Sequence, residues 1–189
     1  MEHAIHLLIG WFSLPVWIGT GFADYIAHRI THIERTSGVG ESLIHHVMMA
    51  EVGLPIIASA FFRIDAAMVV LFIVCFAAHE ITGNLDIRYA ESHGRHVGPT
   101  EDQLHSFLEI IPLTAALLIL LPHFGQVLAL FGLGPEHADF SVALKQPPAM
   151  WKIVFTAAML VIFIIGPYTE ETIRTWRYQR RSVALKPAE

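Results

Sequence analysis

Asp24 and His28 are four residues apart. Glu41 and His45 repeat that step, and so do Glu101 and His105, with Glu109 four further on. A helix turns about 100° per residue, so a four-residue step returns to within about 40° of the same face. His79 and Asp86 are seven apart, about 20° off alignment. If each stretch is helical, each presents one imidazole and at least one carboxylate on a single stripe.

Neutral imidazole combined with carboxylate is a donor set for iron, manganese or zinc. Two divalent ions bring four positive charges, which Asp24, Glu41, Asp86 and Glu101 would balance. Without counter-ions, carboxylates buried together repel one another and are driven to their neutral forms. Soluble di-iron bundles use Glu and Glu-x-x-His from paired helices. The spacing here is Glu-x-x-x-His, so the likeness is in composition and symmetry. The candidate metal ligands are Asp24, His28, Glu41, His45, His79, Asp86, Glu101, His105 and Glu109. Nine exceeds what two six-coordinate ions need once water or O2 takes open positions, so some must stand behind the ligands proper.

Other polar residues surround this set. His32 and His46 are candidates for a further ligand or a supporting partner. Glu51 lies about a turn and a half deeper than His45, where a carboxylate is costly unless paired. It suits hydrogen bonding to a ligand histidine or proton relay. Glu51, Glu80 and Glu109 are the candidate catalytic acid–base groups. Arg29, Arg88 and Arg95 read as head-group contacts or topology signals. Glu170 and Glu171 read as solvated residues opening a tail, His93 and His96 as loop residues, and Cys75 as packing. Haem would need an apolar pocket, and a carboxylate near every histidine argues instead for bare ions.

The elements that must position these residues follow from composition. The chain has 189 residues, 54% hydrophobic and only 15% charged, with a mean hydropathy of +0.53. Soluble domains carry roughly 25% charged residues, so a disordered chain is excluded and an ordinary soluble enzyme is disfavoured. One cysteine excludes a disulfide framework and a cysteine-based zinc module. Twelve Lys+Arg in a chain of net charge −5 leave no footprint for nucleic acid. Five windows approach the roughly 20 apolar residues of a membrane span: 4–23, 43–62, 66–85, 107–124 and 151–168. The first lacks a basic leader and reads as a retained span. The expected fold is all-α: a single transmembrane domain over 1–189, an integral membrane bundle of about five helices. Four of them form a metal-binding bundle at the cytoplasmic end, and residues 169–189 form a basic cytoplasmic tail.

Five spans place nine Lys/Arg on one side (Arg29, Arg35, Arg88, Arg95, Arg174, Arg177, Arg180, Arg181, Lys186) and three on the other (Arg63, Lys145, Lys152). The positive-inside rule then predicts the N-terminus out and the C-terminus in. All nine candidate ligands fall on the inner side.

The stretches 23–29 (ADYIAHR), 41–45 (ESLIH), 79–86 (HEITGNLD) and 101–109 (EDQLHSFLE) are similar to small bacterial inner-membrane proteins of uncharacterised function. The likeness covers most of the chain and implies that membrane, without implying an activity. More loosely, the layout resembles the membrane-bound di-iron fatty acid desaturase/hydroxylase superfamily, which also sets a di-iron site at the cytosolic ends of membrane helices. That superfamily relies on clustered histidines, whereas each stripe here pairs histidine with carboxylate.

The expected activity is that of a membrane di-metal oxidoreductase, with iron as the metal and zinc or manganese as alternatives. It would act with O2 on a lipid-like or other hydrophobic small molecule. No flavin or ferredoxin-like motif is present, so electrons would come from a separate donor. The alternatives are a zinc-dependent membrane hydrolase of a lipid or amide, and a non-catalytic metal-binding or transport protein.

Overall fold

A computed structural model describes residues 2–185. Five helices are long and apolar enough to cross a membrane: α1 His3–Ile30, α2 Gly38–Phe61, α3 Ala66–Ser92, α4 Pro99–Leu130 and α5 Met150–Ala184. No strand occurs among the described residues apart from one isolated bridge between Phe62 and Leu144. The fold is the all-helical, membrane-spanning bundle that the apolar windows imply.

The helices outrun those windows. α2 begins at Gly38 rather than 43, α3 runs to Ser92 rather than 85, and α4 begins at Pro99 rather than 107. Each extension lies at the same end of the bundle and carries the polar stripes. Hydropathy marks where lipid contact stops, but backbone hydrogen bonding carries the helix onward. The segment after Tyr168, expected as a tail, is also helical through Ala184. Lys186 lies outside the described residues.

α2 and α3 form an antiparallel hairpin, α1 lies along α4, and α5 packs against α1 and α2. The hairpin turn is capped by Asp65, which is buried. Its Oδ1 accepts from the Met68 N–H at 3.0 Å and its Oδ2 from the Val142 N–H at 3.0 Å. This N-cap satisfies an otherwise orphaned donor of α3. It also fastens the 131–149 connection across the end of the bundle opposite the polar stripes, where the Lys145 N–H donates to Phe61 O at 2.8 Å.

Prolines shape the helices internally. Pro55 and Pro112 lie inside α2 and α4, where each removes the N–H that the carbonyl four residues earlier would accept. In α1 and α5 a π-helical turn, Ile9–Ser13 and Val161–Ile165, ends two residues before Pro15 and Pro167. A π-turn adds a residue to the helix and shifts its face by about 100°. Beyond the second π-turn, Tyr168, Glu171 and Thr175 are buried.

The apolar core lies mainly between α1 and α5, where Ile18, Tyr25, Ile164 and Tyr168 pack together. Trp11, Phe12, Trp151, Phe155 and Ile162 stay at least 60% exposed. That outer surface suits hydrocarbon, in which α-helices satisfy their own backbone.

Gly40 permits the close approach of α2 to α3 beside the polar end. A Cβ there would lie 1.9 Å from Tyr89 Oη and 2.3 Å from its Cζ. Gly40→Ala should therefore lower the thermal unfolding temperature, and Tyr89→Ala, costly by itself, should cost less in the Gly40→Ala background. A thermal melt of the two single variants and the double variant in detergent checks this. Additive losses would show that the contact does not matter.

Candidate metal centre

The polar extensions of the five helices meet in one buried cluster. α1 brings Asp24 and His28, α2 Glu41 and His45, α3 Asp86, α4 Glu101 and His105, and α5 Glu171. His105 is 13% exposed, and the other seven are nearly or fully buried.

Glu171 sits at the middle and is fully buried. Its Oε2 lies 3.0 Å from His28 Nδ1 and its Oε1 lies 3.1 Å from His45 Nδ1. The two imidazole rings stack with centroids 4.5 Å apart and planes 10° from parallel. In a neutral ring, a carboxylate at Nδ1 makes that nitrogen the N–H and leaves Nε2 with its lone pair. Both Nε2 atoms are buried without a hydrogen-bond partner.

What those nitrogens face is more carboxylate. His28 Nε2 lies 3.2 Å from Glu101 Oε1 and 3.4 Å from Asp24 Oδ2, and His105 Nε2 lies 3.4 Å from Asp24 Oδ1. His45 Nε2 lies 3.3 Å from Asp86 Oδ1 and 3.9 Å from Glu41 Oε1. Two donor atoms sharing an ion at about 2.0–2.2 Å lie about 3.0–3.6 Å from each other. Three groups come near this spacing: Asp24, His28, Glu101 and His105 on one side, Glu41, His45 and Asp86 on the other, and between them the His28, His45 and Glu171 bridge, where the contacts are those of Nδ1. Within each group the ligand atoms lie within 4.8 Å of one another.

Arg95 joins the first two groups. Its guanidinium pairs with Glu41 and with Glu101. It was expected to contact head groups or set topology, and it is buried instead. The cause is the end of α3. Gly94 takes φ +75°, and the Arg95 N–H returns to Ala90 O at 3.0 Å. This is a Schellman turn, and it folds the chain back over the cluster.

Glu171 was missed by the sequence reading, which placed it in a solvated tail. Its neighbours hold α5 in register. Tyr168 Oη lies 2.9 Å from Asp24 Oδ2, Ser42 Oγ 2.8 Å from Thr172 Oγ1, and Tyr25 donates to Glu170 Oε2 at 2.8 Å. Arg174 pairs with Glu34. The only advance signal was the Thr/Tyr-rich polar face around residues 168–175.

Of the nine expected ligands, seven converge here. His79 and Glu109 do not. They line a separate cleft with Glu51, whose Oε2 is 3.6 Å from His79 Nδ1. Glu80 is half-buried, joins neither the cluster nor the cleft lining, and lies about 100° around α3 from His79. His46 turns to its own helix, with Nδ1 2.9 Å from Ser42 O. His32 shares a His-x-x-x-His spacing with His28. It takes φ 56°, is exposed, and lies 3.3 Å from Glu34. His93 and His96 are exposed.

Comparison with protein-family models, with curated proteins and with solved structures finds no match for this chain. The chemistry of the site must therefore be argued from its own geometry.

Glu171→Gln should destabilise the chain by about 3 kcal/mol, because the amide puts an NH2 against one imidazole N–H and removes a buried charge-assisted bond. Glu170→Gln, at a position 41% exposed, should cost under about 1 kcal/mol. Parallel melts of the two variants test the contrast, and equal losses would remove Glu171 from its central place.

Proposed function

We propose that the cluster is a two-ion metal centre in a membrane protein, and that the protein is an oxidoreductase built on it. The observation that carries the reading is the paired imidazoles of His28 and His45. Both are anchored at Nδ1 on one carboxylate, and both turn an unpartnered Nε2 toward further carboxylate oxygens. Lone pairs facing carboxylates in a buried site call for cations between them.

Charge arithmetic supports two divalent ions. Asp24, Glu41, Asp86, Glu101 and Glu171 contribute five negative charges and Arg95 one positive. With neutral histidines the balance is four negative charges. Protonated histidines would also neutralise much of this. Full protonation of His28, His45 and His105 would still leave one negative charge over, whereas two divalent ions close the balance.

The donor sets suit iron, with manganese or zinc as alternatives. One group offers two carboxylates and two imidazoles, the other two carboxylates and one imidazole. The poorer set leaves more positions for water, O2 or substrate. An iron pair bound here supplies O2 activation and two-electron chemistry. The residues of the chain hold the ions, fix the histidine tautomers through Glu171, and exclude water by burial. Electrons would come from a separate donor and the substrate from the bilayer, as a lipid-like or other hydrophobic small molecule. The zinc hydrolase alternative is less well supported. A general base must stand within hydrogen-bond reach of the reacting water, and Glu51 and Glu109 line a separate cleft.

Eight of the eleven Lys and Arg among the described residues lie at the cluster end of the bundle. We place that end in the cytoplasm, with the N-terminus outside, in a bacterial inner membrane.

Purified protein should hold two ions per chain by elemental mass spectrometry, with iron expected and no Soret band. Asp86→Asn should reduce the count to one, and His105→Ala should release an ion from the opposite group. No metal in chelator-free protein, and none taken up on reconstitution, would overturn the reading. Orientation is tested separately by Arg181→Cys in a Cys75→Ala background. A membrane-impermeant maleimide should label it only after the inner face is opened, and labelling of intact cells would reverse the topology.

A further inference from the structure

About two helical turns deeper than the metal cluster lies a second polar group, which the centre does not use. Glu51 is thirteen residues into α2, His79 thirteen residues before the end of α3, and Glu109 ten residues into α4. At 1.5 Å per residue these positions are about 15–20 Å from the helix ends and about 3–12 Å inside the apolar windows bounded at 43, 85 and 107, in the cluster-side half of a hydrocarbon core about 30 Å thick. Ionisable residues at that depth are costly and need a compensating role.

The three residues line a half-open cleft of about 30 Å³ between α2, α3 and α4, walled by side chains such as Phe72, Phe76 and Leu113. The His79 side chain is only 7% exposed, yet neither ring nitrogen has a hydrogen-bond partner. Glu51 Oε1 accepts from Thr82 Oγ1 at 2.8 Å, while its Oε2 is buried and unpartnered. No Lys or Arg lines the cleft. A second cleft, lined by Trp17, Ala115 and Ile119 and wholly apolar, shares Ile56 and Pro112 with the first. The first cleft is itself an open groove that starts at polar groups and continues along α4 from Glu109 to Ala116, about 10 Å of largely hydrocarbon-like wall.

We infer that this groove binds the hydroxyl end of a long-chain, uncharged molecule taken from the bilayer. A neutral imidazole presents one N–H and one lone pair, and Glu51 Oε2 presents only lone pairs. A head that both donates and accepts satisfies them, and a hydroxyl does so. A ketone or ester carbonyl cannot donate to Glu51. An ammonium cannot accept from His79. The apolar extension past Pro112 takes the chain. The inference rests on the cleft and does not depend on the metal reading.

The full chain in lipid nanodiscs is to be photolabelled with a dodecanol carrying a diazirine in its chain, and the adducts mapped by peptide mass spectrometry. Labelling should concentrate on α2 and α4 around Ile56 and Leu113. It should be competed by dodecan-1-ol and not by dodecane. His79→Leu and Glu51→Gln should each weaken competition about tenfold, the loss of one hydrogen bond in an apolar site. His79→Gln, which keeps a donor and an acceptor, should retain most of it. Unchanged thermal melts in these variants show that they are folded, and the readout is independent of the metal content. Competition by dodecane as strong as by dodecanol, or labelling spread evenly over the lipid-facing surface, would overturn the proposal. Stronger competition by dodecylamine would overturn the hydroxyl assignment in favour of a cationic head.

Discussion

The carboxylate of Glu171 holds two imidazoles from two different helices, and the polar end of the bundle is organised about that bridge. His28 comes from α1, His45 from α2 and Glu171 from α5. None of these helices meets the others there by hydrophobic packing alone. The bridge requires α5 to arrive with one face at one height. The Val161–Ile165 π-turn and Pro167 precede the polar face, and the Ser42–Thr172 contact and the Arg174–Glu34 pair fix its register. Once both Nδ1 atoms are committed to Glu171, both Nε2 atoms must look elsewhere for partners. Carboxylates from α1, α2, α3 and α4 stand there, and the requirement for positive charge at those points follows.

The same bridge explains why Arg95 is buried. Glu41 and Glu101 belong to different halves of the cluster, and both are donors in the proposed centre. Bringing them together in a low-dielectric interior costs several kcal/mol unless a cation stands between them. The guanidinium provides that cation from the chain itself, and its planar fork can take both carboxylates at once. It thus cancels the extra negative charge that Glu171 brings. The residual charge is the one that Asp24, Glu41, Asp86 and Glu101 would have carried alone.

Much of this was legible in the sequence, and the failures have a common cause. The four-residue steps of Asp24/His28, Glu41/His45 and Glu101/His105 marked the faces correctly, because helical periodicity fixes angle. It does not fix which height along the axis is used. His79 aligns with Asp86 in angle but lies about 10 Å away along α3, so the two serve different sites. Glu109 continues the angle of His105 and lies a further turn down, in the cleft with Glu51. Glu171 was invisible for a different reason. It has no histidine four residues away, it follows an exposed glutamate, and it lies beyond the point where hydropathy falls. Arg95 could be placed only by knowing that Gly94 would turn the chain inward. Hydropathy found the membrane spans and then stopped short, since the helices continue for a turn or two where the useful side chains begin.

Height along the helix also separates two kinds of access. The cluster lies within two or three turns of one bundle end, on helices whose adjoining loops carry exposed polar residues, so ions and protons reach it from water. The cleft of Glu51, His79 and Glu109 lies a turn or two deeper, between walls that match hydrocarbon, so the proposed ligand would come from lipid. α2, α3 and α4 run through both. A donor set that needs aqueous cations and a pocket that needs an apolar visitor cannot share one depth, because each would spoil the dielectric surroundings of the other. The offset of about two helical turns keeps both on the same three helices.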